Sequence, residues 1–224
     1  MSYRLYLRDG LDDITDEQLD AAMATLPAWR REKALRFKHA QGRKECTYAY
    51  LLLCQALKEV YGITEQPSFS IGEHGKPTLV GHPDIHFNLS HCKQAVACVV
   101  SSRPVGVDIE SVGRYKEALA RHVLSDSEFA EVQAAPDPQI PFTRFWTQKE
   151  AIVKLTGRGI DDDLKNLLIK YNNVSLHTKA NLPQGYVYTV ATGLFPQPQN
   201  RRPRRRSTDV GDVGQPTSGT SVER

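Results

Sequence analysis

The sequence predicts an α+β fold, and three observations carry that expectation. Short alternating segments cluster as hairpins over residues 85–109. Helical stretches with apolar residues three and four apart lie on either side of them. No regular strand–helix–strand repeat connects the two, which argues against a doubly wound parallel sheet.

The elements follow in chain order. Met1-Ser-Tyr-Arg-Leu-Tyr-Leu-Arg-Asp reads as a first strand and lacks the apolar core of a secretory signal. Thr15-Asp-Glu-Gln18 has capping-box spacing and opens a helix toward Leu26. Pro27 precedes a second helical stretch, Trp29–Phe37. A third carries Ala49, Leu52, Leu53, Ala56, Leu57 and Val60 on one apolar face and stops near Gly62. Strands are predicted at Ser68–Ile71, Ile85–Leu89, Ala95–Val100 and Val105–Ile109, with Gly75-Lys-Pro77 as a turn. Ser125-Asp-Ser-Glu128 is a second capping box, for a helix toward Ala134. A long helix runs from about Pro141 to Leu155 and is closed by Gly157. Val174–Leu176 and Tyr186–Ala191 read as closing strands. Strand, helices and strands recur loosely in two halves, with a break near Ser101–Pro104.

Bulk properties narrow the function. The chain has 224 residues, 40% hydrophobic, and no apolar run long enough to cross a membrane, so the cytoplasm is the expected location. Its four cysteines lack metal-site spacing and read as reduced, mostly buried thiols. The net charge of +3 matches the excess of arginine over acid in residues 200–224, so residues 1–199 are neutral. Those last residues open with Arg201-Arg-Pro-Arg-Arg-Arg and then turn to Gly, Ser, Thr, Pro and Asp, the composition of a disordered tail. The basic balance is therefore no argument that the folded part binds nucleic acid.

The residues that can do chemistry fall in a few segments. In Val105-Gly-Val-Asp-Ile-Glu110 the apolar residues alternate with Gly106, Asp108 and Glu110, as on a half-buried strand. Side chains two apart share a face at roughly 6.5–7 Å along it. Two carboxylates so placed can converge on a hard cation, and Mg²⁺ with substrate phosphates is the usual case. A solvated acidic strand face has the same pattern. On the long helix, Thr143, Thr147, Glu150, Lys154 and Gly157 form one stripe beside the apolar Phe142, Phe145, Trp146 and Val153. Glu150 and Lys154 are either a surface pair or a third carboxylate and a phosphate contact, with Lys149 nearby. Three anionic groups at one point call for a cation. In His86-Phe-Asn-Leu-Ser-His91, Phe87 and Leu89 face inward, and Asn88 and Ser90 face the other way. His91 at the strand end can donate to a phosphate, though a histidine in a turn can equally be structural. Arg30, Arg31, Lys33, Arg36, Lys38, Arg43 and Lys44 form a basic cluster, either a solvated helix face or a seat for a phosphorylated nucleotide.

Gly75-Lys-Pro77, Phe87-Asn-Leu-Ser-His91, Val105-Gly-Val-Asp-Ile-Glu110 and Trp146-Thr-Gln-Lys-Glu-Ala-Ile-Val-Lys154 with Gly157-Arg-Gly159, in this order, resemble the 4′-phosphopantetheinyl transferases of the single-chain, surfactin-synthetase-activating (Sfp-like) type. The resemblance covers roughly residues 3–195. It implies two similar α+β halves related by a pseudo-two-fold axis, with the cofactor in the cleft between them. The expected boundaries are 1–102, 103–198 with the metal site, and a tail at 199–224. It implies transfer of the phosphopantetheine arm of coenzyme A to a serine of an acyl or peptidyl carrier protein, with release of adenosine 3′,5′-bisphosphate. Asp108, Glu110 and Glu150 would bind Mg²⁺ on the diphosphate, Asp108 lying against the cofactor as well. Lys154 and Lys149 would contact the phosphates, and Glu150 would take the proton of the serine. Ser90 and His91 would hold phosphate oxygens, Lys76 and Pro77 would border the adenine, and Arg30, Lys33, Arg36 and Arg43 would line the entrance near the 3′-phosphate. The carrier would dock along Ser111–Ala135, where Leu119, Val123, Leu124 and Phe129 are either contacts or core. One chain carries both halves, so a monomer is expected. Cys92 stands where the family commonly has serine, and the arginine-rich tail has no counterpart there. The rival readings are another Mg²⁺-dependent phosphodiesterase and a non-catalytic module binding carrier protein or nucleic acid.

Overall fold

Two three-stranded antiparallel sheets organise the molecule, and their edges meet at the candidate site. The structure, a computed structural model, describes residues 3–72, 74–157 and 163–193. The predicted tail and the Arg158-Gly159 end of the helix motif lie outside the described residues. The first sheet has the order β1 (Tyr3–Arg8), β5 (Val96–Ser101), β4 (His86–His91). The second has β6 (Val105–Ser111), β8 (Tyr186–Thr192), β7 (Ser175–Asn181). In both, the first strand in the chain pairs with the third, and the second takes the outer place. In both, helices intervene after the first strand: α1 (Asp16–Ala24), α2 (Ala28–Leu35) and α3 (Ala40–Tyr61) in one, α4 (Glu117–Val123), α5 (Asp126–Ala134), α6 (Gln139–Thr156) and the short α7 (Leu167–Lys170) in the other. A two-stranded ribbon, β2 (Phe69–Ile71) with β3 (Pro77–Leu79), completes the fold. This is the predicted α+β class, and Met1–Leu194 form one compact unit. No described helix is long and apolar enough to cross a membrane.

The period of two along each strand sorts side chains into layers. On β5, Val96, Cys98 and Val100 join α1–α3 in one core, and Ala97 and Val99 face the other way. There they meet Val105, Val107 and Ile109 of β6 with Tyr188 and Val190 of β8. The opposite face of β6 lies under α6. A Cβ added to Gly106 would run into the Ala151 carbonyl and the Leu155 nitrogen, so this glycine is what lets helix and strand approach. The expectation that β6 is half-buried is thus corrected: Val105–Ile109 are buried on both faces.

Local signals explain the helix ends. Thr15 and Ser125 both form complete capping boxes, and Gly62 and Gly157 close α3 and α6 at φ of 69° and 65°. Val60, assigned to the core by its spacing, is 36% exposed, while Leu57 and Tyr61 on either side of it pack against the core. The helix α4 and the strand β3, entered directly from the Gly75–Pro77 turn, carry no strong periodicity and are not anticipated. All four cysteines are free, three of them buried.

Candidate active site

The site lies where edge strand β4 faces edge strand β6. Neither offers the other a backbone ladder; two side chains of β4 bridge the gap instead. Asn88 Oδ1 accepts the Val107 N–H at 2.9 Å, and Ser90 Oγ accepts the Ile109 N–H at 3.2 Å. Between them stands Asp108, 2% exposed. Its Oδ1 accepts from Ser90 Oγ at 2.9 Å and from Lys154 Nζ at 2.6 Å. Lys154 Nζ also donates to Ser90 Oγ at 2.8 Å. The Ser90 hydroxyl thus uses its single donor and both lone pairs within the protein.

Helix α6 brings the remaining acidic group. Its polar stripe begins buried, at Thr143 and Thr147, and continues half-buried at Glu150 and Lys154; Thr147 is bonded to Thr189 of β8 at 2.9 Å. Burial, and then the negative charge of Asp108, push the Glu150 carboxyl above its ordinary value; Lys154 pulls the other way, and Glu110 adds a smaller upward push. Glu110 accepts from Arg114 at 2.7 Å and from Trp146 Nε1 at 3.3 Å. It borders a depression of about 320 Å³ shared with Leu119, Phe142 and Trp146. Among the described residues no three carboxylate, imidazole or thiol groups form a ready-made ligand set. Glu110 is turned to Arg114 and Trp146, and Lys154 sits on Asp108 in the position of a counter-ion. Asp108 Oδ2, however, is buried without any hydrogen-bond partner. A buried, orphaned carboxylate oxygen, with the Glu150 carboxyl close enough to feel its charge, suits a small hard cation, so Asp108 and Glu150 fit Mg²⁺.

The other face of β4 borders a cleft of about 450 Å³. Phe87, Leu89 and His91 form this wall; Trp29 and Phe69, 6.1 Å apart, and Pro77 supply apolar surface, and Arg30 and Lys33 charge. The cleft combines flat apolar surface with cations, which suits a heteroaromatic ring bearing phosphate. His91 Nδ1 stands 3.1 Å from Glu45. Although burial works against it, hydrogen bonds from His91 and Gln41 hold the Glu45 carboxyl below its ordinary value.

The predicted site residues divide accordingly. Asp108, Glu150, Lys154 and Ser90 come together, with Glu110 alongside. Arg30, Lys33, Pro77 and His91 line the cleft. Arg30 donates to the Cys46 carbonyl at 2.8 Å and lies over the Tyr50 ring. Arg43 donates to the carbonyls of Phe37 and Lys38, pinning the turn between α2 and α3, and neither it nor exposed Arg36 lines the cleft. Lys76 Nζ points instead at the end of α6, donating to the Lys154 carbonyl at 2.6 Å and the Leu155 carbonyl at 3.2 Å. There it caps the negative end of the helix dipole, and burial pushes its pKa down to about 8. Lys149, expected beside the phosphates, is 2% exposed and paired with Glu128 at 2.8 Å, with a further bond to the Leu164 carbonyl at 2.7 Å. One residue before Glu150, it leaves the helix about 100° away. Of the docking candidates, Val123 and Leu124 are core, and only Leu119 reaches the depression beside Glu110. Sequence reading missed Asn88 as a bridge, although its alternation with Ser90 was the available signal. It also missed Glu128, Arg114 and Glu45, whose partners are distant in the chain or a turn away.

Comparison with known proteins shows the family. The signature of the 4′-phosphopantetheinyl transferase superfamily matches residues 104–193, from β6 to β8. A 4′-phosphopantetheinyl transferase of Bacillus subtilis is 32% identical over 170 residues, 75% of each chain. The chain belongs to this family. The transferase is also 28% identical over 160 residues to 4′-phosphopantetheinyl transferase Sfp of Bacillus subtilis (strain 168), covering 70% of this chain and 71% of that one. To 4′-phosphopantetheinyl transferase AcpT of Salmonella typhimurium it is 35% identical over 142 residues, 60% of this chain and 71% of that one. The family signature contains Asp108, Glu110, Glu150 and Lys154; Asn88, Ser90 and the cleft precede it.

Proposed function

We propose that this transferase moves the 4′-phosphopantetheine group of coenzyme A to a serine of an apo acyl or peptidyl carrier protein, with Mg²⁺, releasing adenosine 3′,5′-bisphosphate. The carrying observation is the group around Asp108: three acids, one orphaned carboxylate oxygen and one lysine, placed beside a cleft suited to an adenine nucleotide. The adenine would lie against Trp29 and Pro77, with Lys33, Arg30 and His91 toward the 3′-phosphate. Asp108, Glu110 and Glu150 would hold Mg²⁺, which supplies neutralisation of the diphosphate charge.

The remaining steps belong to the chain's own residues. The serine oxygen attacks the phosphorus bearing the pantetheine arm, and the bond from that phosphorus to the oxygen of the nucleotide phosphate breaks. The serine proton passes to Glu150, the carboxylate of α6 that lies near Asp108. Lys154, with its side chain 28% exposed, is free to swing from Asp108 to the diphosphate and balance charge there. The carrier would approach along the depression beside Glu110, where Arg114 and Lys116 suit an acidic partner. Cleft and acids lie on one chain, the basis for expecting a monomeric enzyme, with no nucleic acid needed by the folded part.

The test is incubation with coenzyme A, Mg²⁺ and a panel of apo carrier proteins, read by mass spectrometry. A phosphopantetheine adduct on the carrier serine is expected, absent with Asp108→Ala. No adduct on any carrier would overturn the proposal.

A further inference from the structure

The facing edges of β4 and β6 set a problem of register. Each strand pairs on one side only, β4 with β5 and β6 with β8, so the Val107 and Ile109 N–H groups point into the gap with no ladder partner. Both residues are fully buried, and a buried N–H without an acceptor is rare and costly. The repeat of two on each strand offers the solution: Asn88 and Ser90 project from one face of β4 at the spacing at which Val107 and Ile109 present their N–H groups. The two bridges flank Asp108 on both sides.

We propose that Asn88 is a positioning residue for Asp108. It touches neither the cleft nor the acids. Its amide oxygen fixes β6 at Val107, as Ser90 fixes it at Ile109, and the pair holds the Asp108 carboxylate at a set height against Glu150 and Lys154. Ser90 cannot do this alone, since its hydroxyl is shared among Asp108, Ile109 and Lys154. Asn88 therefore tunes the site that receives the cation and leaves the nucleotide cleft untouched, because Phe87, Leu89 and His91 face the cleft from the opposite side of β4. The catalytic part of this inference rests on the transfer reading above; the clamp itself does not.

Asn88→Leu keeps the branched shape and removes the acceptor; Asn88→Asp keeps an oxygen in the same place. Two measurements are made. Amide hydrogen exchange at Val107, without coenzyme A or metal, is expected to speed up in Asn88→Leu and to stay protected in Asn88→Asp. In the transfer assay, Asn88→Leu is expected to raise the Mg²⁺ concentration for half-maximal rate by about tenfold or more, the usual effect of losing a partner behind a metal ligand. At saturating Mg²⁺, KM for coenzyme A is expected to stay at the wild-type value. If leucine prevents folding, Asn88→Val, better suited to a strand, carries the same measurements. Unchanged Val107 exchange, or an unchanged Mg²⁺ requirement with only thermal stability lowered, overturns the proposal. A wild-type protein that transfers nothing overturns the transfer reading instead, and the Val107 exchange still decides whether the clamp exists.

Discussion

The two sheets share a strand order but differ in what their facing edges carry. Edge strand β4 is two-sided: Phe87, Leu89 and His91 border the nucleotide-sized cleft, and Asn88 and Ser90 reach across to β6. Edge strand β6 turns its apolar residues to the first sheet and Asp108 to α6, with Glu110 one turn of the pleat further on. On the proposed function, one sheet would supply binding surface, and the other would supply charge for chemistry. Losses in the first should therefore appear in KM, and losses in the second in kcat, the signature of contacts made in the ground state as against the transition state.

The strongest way to break this division is at the acids. Glu150→Gln is expected to lower kcat by about 10²–10⁴, the range of a lost general base, with the melting temperature preserved. Retention of wild-type turnover would remove Glu150 from the chemistry. A second change separates stability from activity on the same helix. Lys149→Met strands Glu128 in the core and is expected to cost about 3–5 kcal/mol in denaturant unfolding, with the protein that remains folded keeping its kcat. A kcat loss larger than the loss of folded protein would put Lys149 back among the phosphate contacts.

Smaller effects sharpen the other side. Lys33→Ala at the cleft is expected to raise KM for coenzyme A up to about fivefold, less at high salt, with kcat unchanged. An effect on kcat alone would contradict a purely binding role. The smallest concerns Lys76, which ties the β3 ribbon to the end of α6. Its native pKa of about 8 lies below the ordinary lysine value of about 10.4, so across that window the unfolded chain holds a proton that the native state has released. Stability then rises with pH through the window, measured against Lys76→Met, and an identical pH profile for the two proteins would show that Lys76 is not desolvated.

The sequence by itself determined the local structure and which side chains were candidates for the site. Capping boxes, closing glycines and the period of two are short-range physics, so α1, α5, the end of α6 and strands β4 to β6 are legible, and Asp108, Glu110, Glu150 and Lys154 stand out as candidates. Where a pattern is only local it also misleads. Val60 continues the apolar stripe of α3 but is exposed, and Lys149 sits next to Glu150 yet is buried against Glu128. The tertiary structure alone decided that Lys76 caps α6 while Pro77 lines the cleft, and that Arg43 serves a turn. It alone decided that Asn88 closes an edge nineteen residues away. A side chain's partner depends on which edges the packed sheets leave unpaired, and that is settled only when buried N–H groups from distant parts of the chain must all find acceptors at once.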